Sequence, residues 1–343
     1  MRKEVLAVGC ALMVFCGCGK NNAAQHYESG WAAMGKKDYT TAVNEFQQVI
    51  DQNSRLAESY RAEGIAYYSE KAYPEAIAAF SRSLNNMDDP DKEFKKDVQF
   101  YLAQARMDYG EVDKAIEVYS EILKAGEDEQ AFFLRGKAYI SMEDYKNAEK
   151  DFQRALEGCE DYNLYINIYQ IYVDHNKAVD GDAYLKMALE LEPQDGEDCY
   201  HRGRIYEYEK NYEAARDELK TAMEQGYEDA MLLLGRVYLE MEDPASARSM
   251  YQEYLQKSEQ GAKAYNGLAM CDIYDGAYDS ALENIAQGLK ENSKEDEQGL
   301  LYNEIVAYEY KRDFATAKEK MKIYLEQYPE DEAALRENEF LST

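Results

Sequence analysis

Proline, tryptophan and histidine are scarce in this chain: five prolines, one tryptophan and three histidines among 343 residues. So few prolines leave long stretches free to be helical, because each proline removes a backbone donor and clashes with the preceding turn. The histidines His26, His175 and His201 follow no ligand spacing, which points to packing or surface roles. There is no His-Glu-x-x-His helix, no Cys-x-x-Cys pair and no phosphate-binding loop, and the Asp275-Gly276 and Asp180-Gly181-Asp182 stretches lack the spaced ligands of a calcium loop. These shortages argue against an enzyme and imply neither cofactor nor metal. Basic residues are outnumbered by acidic ones, 39 to 68, for a net charge of -29. No basic stripe is present to displace counterions, so nucleic acid is not expected as a partner. The acidic excess reads either as a solvated, self-repelling surface or as a complement to a basic partner.

A long apolar run is also missing beyond the first eighteen residues. There, Arg2 and Lys3 precede an apolar stretch from Val5 to Cys16, too short to span a bilayer comfortably, followed by Gly17 and Cys18. Three cysteines remain in the body, Cys159, Cys199 and Cys271. Their wide separation along the chain argues against bridging, and all three are expected to be buried small hydrophobes.

What the chain has in abundance is a spacing. A small residue recurs with another small residue twelve positions later: Gly30 with Ala42, Gly64 with Ala76, Ala103 with Ala115, Gly136 with Ala148, Gly203 with Ala215, Gly235 with Ala247 and Ala269 with Ala281. Apolar residues between them fall at helical intervals, and no strand is required. In the stretch 129–161, Phe132, Leu134, Gly136 and Tyr139 form one stripe, and Tyr145, Ala148, Phe152 and Ala155 a second, with Met142 to Asp144 as the turn between two helices. Gly136 is expected to let the second helix approach, with Ala148 opposite it. A period of about 34 residues predicts a solenoid, whose units bury their apolar faces by stacking on their neighbours.

These residues resemble the tetratricopeptide repeat, whose pattern places a small residue at position 8, an aromatic at 17, Ala at 20, an aromatic at 24, Ala at 27 and Pro at 32. Tyr39, Tyr73, Tyr145, Tyr212, Tyr278 and Phe314 stand at position 17, and Pro193 and Pro329 at position 32. The resemblance implies an all-α, right-handed α-solenoid of about nine helix pairs. The units cover about 23–56, 57–90, 96–129, 129–161, 162–195, 196–227, 228–261, 262–295 and 298–331, and a short closing helix lies within 332–343. Extra residues lengthen the connections around Asn85 to Lys92 and Asn292 to Gln298. The fifth unit departs from the pattern, with Tyr169 and Gly181 at its two small positions, so its helices are expected to be spread or shifted, bending the solenoid or separating two halves.

In that family the first helix of each pair lines a concave groove. Carried over by position, the candidate partner-binding residues are Tyr27, Trp31, Arg61, Phe100, Phe133, Lys137, Tyr200, Arg204, Arg236 and Tyr302. Lys137, Arg204 and Arg236 form a central basic group. Alternating rings and cations suit an extended peptide or a carboxylate, or else the cations pair with inner-face acids such as Glu207 and Glu240. The amino terminus, Phe15-Cys16-Gly17-Cys18, resembles a bacterial lipoprotein signal. It implies a signal peptide over 1–17, a lipidated Cys18, a tether over 18–22 and an extracytoplasmic, membrane-anchored place in the bacterial cell envelope. An uncleaved anchor and an ordinary secretory signal are the other readings. The function expected from both resemblances is a protein-protein interaction scaffold binding a protein or extended peptide. An envelope receptor for short peptides or other small ligands, and a structural part of an envelope assembly, are the alternatives.

Overall fold

The computed structural model describes residues 22–87, 91–258 and 261–342. The Phe15-Cys16-Gly17-Cys18 stretch and Pro90 lie outside them. Among the described residues there are nineteen α-helices and no strand. The chain divides into two compact units at Asp182–Ala183.

The first unit contains α1 (Asn22–Gly35), α2 (Tyr39–Asp51), α3 (Leu56–Ser69), α4 (Tyr73–Asn85), α5 (Lys92–Tyr109), α6 (Val112–Ala125), α7 (Glu129–Ser141), α8 (Tyr145–Ala155) and α9 (Tyr162–Asp174). α10 (Ala178–Leu189) carries the division between the units. The second unit continues with α11 (Gly196–Tyr208), α12 (Tyr212–Glu224), α13 (Ala230–Glu240), α14 (Pro244–Lys257), α15 (Ala262–Tyr274), α16 (Tyr278–Lys290), α17 (Glu297–Tyr310), α18 (Phe314–Gln327) and α19 (Glu332–Ser342). Helices pack in consecutive antiparallel pairs, and in each unit first helices also touch the first helix of the next pair. Part of the excess around Asn85 to Lys92 is helical, since α5 starts at Lys92 and is the longest helix described.

Every pair turns in the same way. The residue at position 15 is left-handed in all nine: Lys37, Lys71, Gly110, Glu143, Asn176, Lys210, Glu242, Gly276 and Arg312 have φ between 57° and 87°. Only two of these are glycine, so most turns carry the strain that an L side chain meets there, about 1 kcal/mol each. The geometry persists because the next amide reaches back to the first helix. Asp38 N–H donates to Ala33 C=O at 3.0 Å, and Asp144 N–H to Tyr139 C=O at 2.9 Å. This closes the orphan carbonyls as a Schellman motif does. The same residue then caps the second helix. The carboxylates of Asp38, Asp144, Asp243 and Asp313 accept from the backbone N–H three residues on.

The small residue at position 8 makes room for a ring. A Cβ on Gly30 would stand 2.5 Å from the ring of Phe46, one on Gly64 2.6 Å from Phe80, and one on Gly136 2.7 Å from Phe152. All three rings are fully buried. What fills the space over the glycine is therefore the position-24 side chain, whereas the sequence pattern suggested the alanine at position 20. That alanine, Ala148 in the fourth pair, is itself fully buried. The irregular fifth pair inverts the arrangement: the large residue is now on the first helix, and a Cβ on Gly181 would meet the Tyr169 ring at 3.1 Å and Tyr172 at 3.0 Å. The division into two units falls inside this pair.

α19 packs on α18, placing Ala334 and Leu341 beside Ile305, Met321 and Tyr324. The Tyr324 hydroxyl donates to Asp331 at 2.6 Å, holding the segment that leads into α19. Cys199 and Cys271 are buried free thiols, but Cys159 is only half-buried, contrary to the expectation for all three. It sits in the short connection after α8, where the pair closes and solvent reaches the chain.

Candidate functional site

The expected site residues distribute over the first helices of both units. In the first unit Tyr27 and Trp31 pack on Phe46, with ring centroids 5.7 and 5.5 Å away, and the Arg55 guanidinium lies 4.3 Å over Tyr27. Phe100 rests on Tyr119 and Phe133 on Phe152. These rings extend the core outward, with Trp31 left about one-third exposed at 36%. Arg61 bonds to Asp97 across neighbouring pairs and lies 5.2 Å over Tyr101. Burial lowers the affinity of this guanidinium for its proton, yet Asp97 outweighs that and holds it above its usual value. Lys137 is exposed and makes no ion pair among the described residues.

In the second unit, α11, α13, α15 and the start of α17 enclose a cleft of about 540 Å³. It brings together two of the expected residues, Tyr200 and Arg236. Arg204 sits beside it, 5.9 Å over the Tyr200 ring and 3.3 Å from the Nδ1 of buried His201. Tyr302 lies elsewhere, packed on Tyr324 at 5.8 Å.

Of the three expected cations, Lys137 belongs to the first unit and Arg204 and Arg236 to the second, and Arg236 is not free. Arg236 forms a two-pronged bond to Glu207, at 2.5 and 2.7 Å, with Glu207 largely buried. Burial opposes its charge, and Glu207 more than restores it. Lys263, also in the lining, lies 3.5 Å from Glu295 and 4.0 Å from Asp296. Burial pulls its ammonium down, but Asp296 and Glu295 prevail and hold it above its usual value.

The lining also contains Leu232 and Asn266, at the same repeat position as Tyr200, and Met270, at that of Arg236, together with Asp229, Tyr251 and Tyr254, which sequence position did not single out. Tyr251 and Tyr254 belong to α14, a second helix, which is why an inventory of first-helix positions passes over them. A signal was available. Tyrosine replaces alanine at position 27 in Tyr254, and Gly267 stands at position 6, where every other pair carries a side chain. Burial raises the Tyr200 and Tyr251 phenols, so both are neutral hydroxyls at physiological pH.

Among the described residues no group of three or more His, Cys, Asp or Glu could hold a metal ion, and no helix is long and apolar enough to cross a membrane. His26 bonds to Glu45 at 2.7 Å and His175 to the Ile171 carbonyl at 2.8 Å.

Models of the tetratricopeptide repeat match residues 27–91, 129–161 and 200–297, together more than half of the chain. None of the curated proteins matches it. Among solved structures, it is similar to YrrB, described as a tetratricopeptide repeat protein with an unusual peptide-binding site. That match has 26% identity over 55% of this chain and 97% of that one, with a TM-score of 0.36. A tetratricopeptide repeat protein from Parabacteroides merdae matches at 16% identity, 83% and 99% coverage, and a TM-score of 0.46. Yeast Tom70 matches at 15% identity, 90% and 78% coverage, and a TM-score of 0.49.

Proposed function

Since the chain belongs to the tetratricopeptide repeat family, whose members generally mediate protein-protein interactions, we propose that it is a non-enzymatic scaffold holding a protein or extended peptide on its first-helix face. The observation that carries this reading is the cleft of the second unit. It offers aromatic and apolar walls, Tyr200, Leu232 and Met270, beside polar groups at Asn266 and Asp229. Rings supply contact area at small entropy cost, while the polar groups fix register on a backbone.

The scaffold is lipid-anchored through Cys18 on the extracytoplasmic side of a bacterial membrane. Support comes from the sequence alone: Arg2 and Lys3, the apolar Val5 to Cys16 stretch, and Gly17 before Cys18. Two acyl chains on one residue meet the requirement for stable anchoring. Mass spectrometry of the amino-terminal peptide tests this: an acylated Cys18 is expected, lost in Cys18→Ser together with membrane association. An unmodified Cys18 peptide would remove the anchor from the proposal.

A receptor for a small ligand is the second reading, because about 540 Å³ lies within the range of small-molecule sites. Purification of the protein crosslinked in cells separates the two: a stoichiometric protein partner supports the scaffold, and a co-purifying small molecule the receptor.

A further inference from the structure

The seventh pair contains an arrangement absent from its neighbours. Position 24 is Phe or another apolar residue in seven of the pairs, but Tyr119 and Tyr251 in the other two. The far end of the Tyr251 ring passes between two first helices. An ideal Cβ on Gly235 of α13 would lie 2.6 Å from its Cζ, and one on Gly267 of α15 2.3 Å from the same atom. Two glycines thus form a slot through which a second-helix tyrosine reaches the opposite face of the pair. The side chain is 4% exposed, lines the cleft, and makes no hydrogen bond among the described residues. The hydroxyl opens on the cleft, where a ligand can accept its proton.

Charge selects the ligand. The cleft lining holds Asp229, Glu295 and Asp296 against Lys263 and Arg236, and Glu207 lies directly behind Arg236. Three carboxylates of the lining therefore face two cations, while just outside it Glu207 is matched by Arg204 over Tyr200. Both cations are already engaged, whereas Asp229 is exposed and makes no ion pair among the described residues. An anionic ligand would have to share Arg236 with Glu207 and Lys263 with Glu295, beside the unpaired Asp229. A cationic one meets the surplus directly, and the net charge of -29 draws it in from a distance.

Building on the peptide-binding reading, we propose that this cleft takes a basic, extended peptide: a Lys or Arg side chain at the rim of Asp229 and Glu295, and a backbone carbonyl accepting from the Tyr251 hydroxyl. Tyr200, Leu232 and Met270 then flank an apolar neighbour of that basic residue. Tyr251 is the specificity-determining hydroxyl.

An array of random heptapeptides probed with the full chain, followed by anisotropy titration of labelled hits, tests the assignment. Retained peptides should be enriched in Lys and Arg over Asp and Glu, and their affinity should fall as salt rises. Asp229→Asn with Glu295→Gln, both at exposed positions, should weaken binding about tenfold. Tyr251→Phe, which keeps the ring, should weaken it about fivefold with the thermal midpoint no lower than wild type. Hits enriched in Asp and Glu, or without charge preference, overturn the basic-ligand assignment and leave the peptide-binding reading standing. If the array retains no peptide, both fall.

Discussion

Replacing Gly267 with alanine sets two opposed effects against each other, and the structure decides the sign. Gly267 lies within α15, where alanine is the better helix former by about 1 kcal/mol. If helix propensity ruled, Gly267→Ala would stabilise the protein. The new methyl, however, would stand 2.3, 2.4 and 2.5 Å from Cζ, Cε1 and Cε2 of Tyr251, against a comfortable carbon separation of about 3.5 Å or more. The ring cannot swing aside, because the same three atoms lie 2.6 to 3.0 Å from the corresponding point on Gly235. Overpacking of this kind costs about 1–3 kcal/mol, and with both sides closed the upper end applies. The expected outcome is a net loss of about 2 kcal/mol. Amide hydrogen exchange across α13 to α16 is the suitable assay, because units of a solenoid open locally and the single tryptophan, Trp31, lies far away in sequence. The control is the same change beside Tyr251→Leu, where the ring is gone and alanine should become neutral or favourable. A stabilised Gly267→Ala in the wild-type background, or the same cost in both backgrounds, would refute the argument.

Three further outcomes are expected. Glu143→Gly should stabilise the fourth pair by roughly 0.5–1 kcal/mol in chemical denaturation, because φ is 58° there and glycine bears no left-handed strain. Asp151→Ala should cost about 2–3 kcal/mol, since Asp151 is 5% exposed and its loss leaves Arg135, bonded to it at 2.7 and 2.8 Å, with only Ser120; Asp151→Ala made together with Arg135→Met should recover part of that loss. Glu309 has a buried carboxyl oxygen without a partner, and burial, then the charge of Glu337 on α19, raises its pKa from 4.5 to about 7. A carboxyl that holds its proton more tightly when folded contributes most below pH 4.5, and that contribution declines as pH rises to about 7. Glu309→Gln should therefore raise the thermal midpoint at pH 8 and leave it nearly unchanged at pH 4.

Much of the local architecture is visible in the residues. The grid of small residues marks the helix pairs because close approach tolerates no large side chain at position 8. The breaks at Met142 to Asp144 show as a loss of apolar periodicity. The Tyr169 and Gly181 exchange is visible as an anomaly, but its resolution, a ring placed over the other glycine, depends on which helix carries the bulk. The left-handed residue in every turn is hidden, because Lys37, Glu143 and Arg312 do not announce positive φ. The candidate site is less legible than the fold. Tyr200 and Arg236 meet at the cleft, but Tyr302 is spent on Tyr324, and Arg61 on Asp97.

By itself, the sequence determined the helix pairs, their period, the acidic excess and the cysteine-bearing amino-terminal stretch, because each follows from local patterning along the chain. Only the tertiary structure decided where the charges and hydroxyls end up. Whether Arg236 is free or forked to Glu207, twenty-nine positions away, depends on how one pair stacks on the next. Whether Tyr251 ends inside a pair or emerges between two helices depends on two glycines, Gly235 and Gly267, that lie on different pairs. Such relations join residues a repeat apart, and stacking alone sets them.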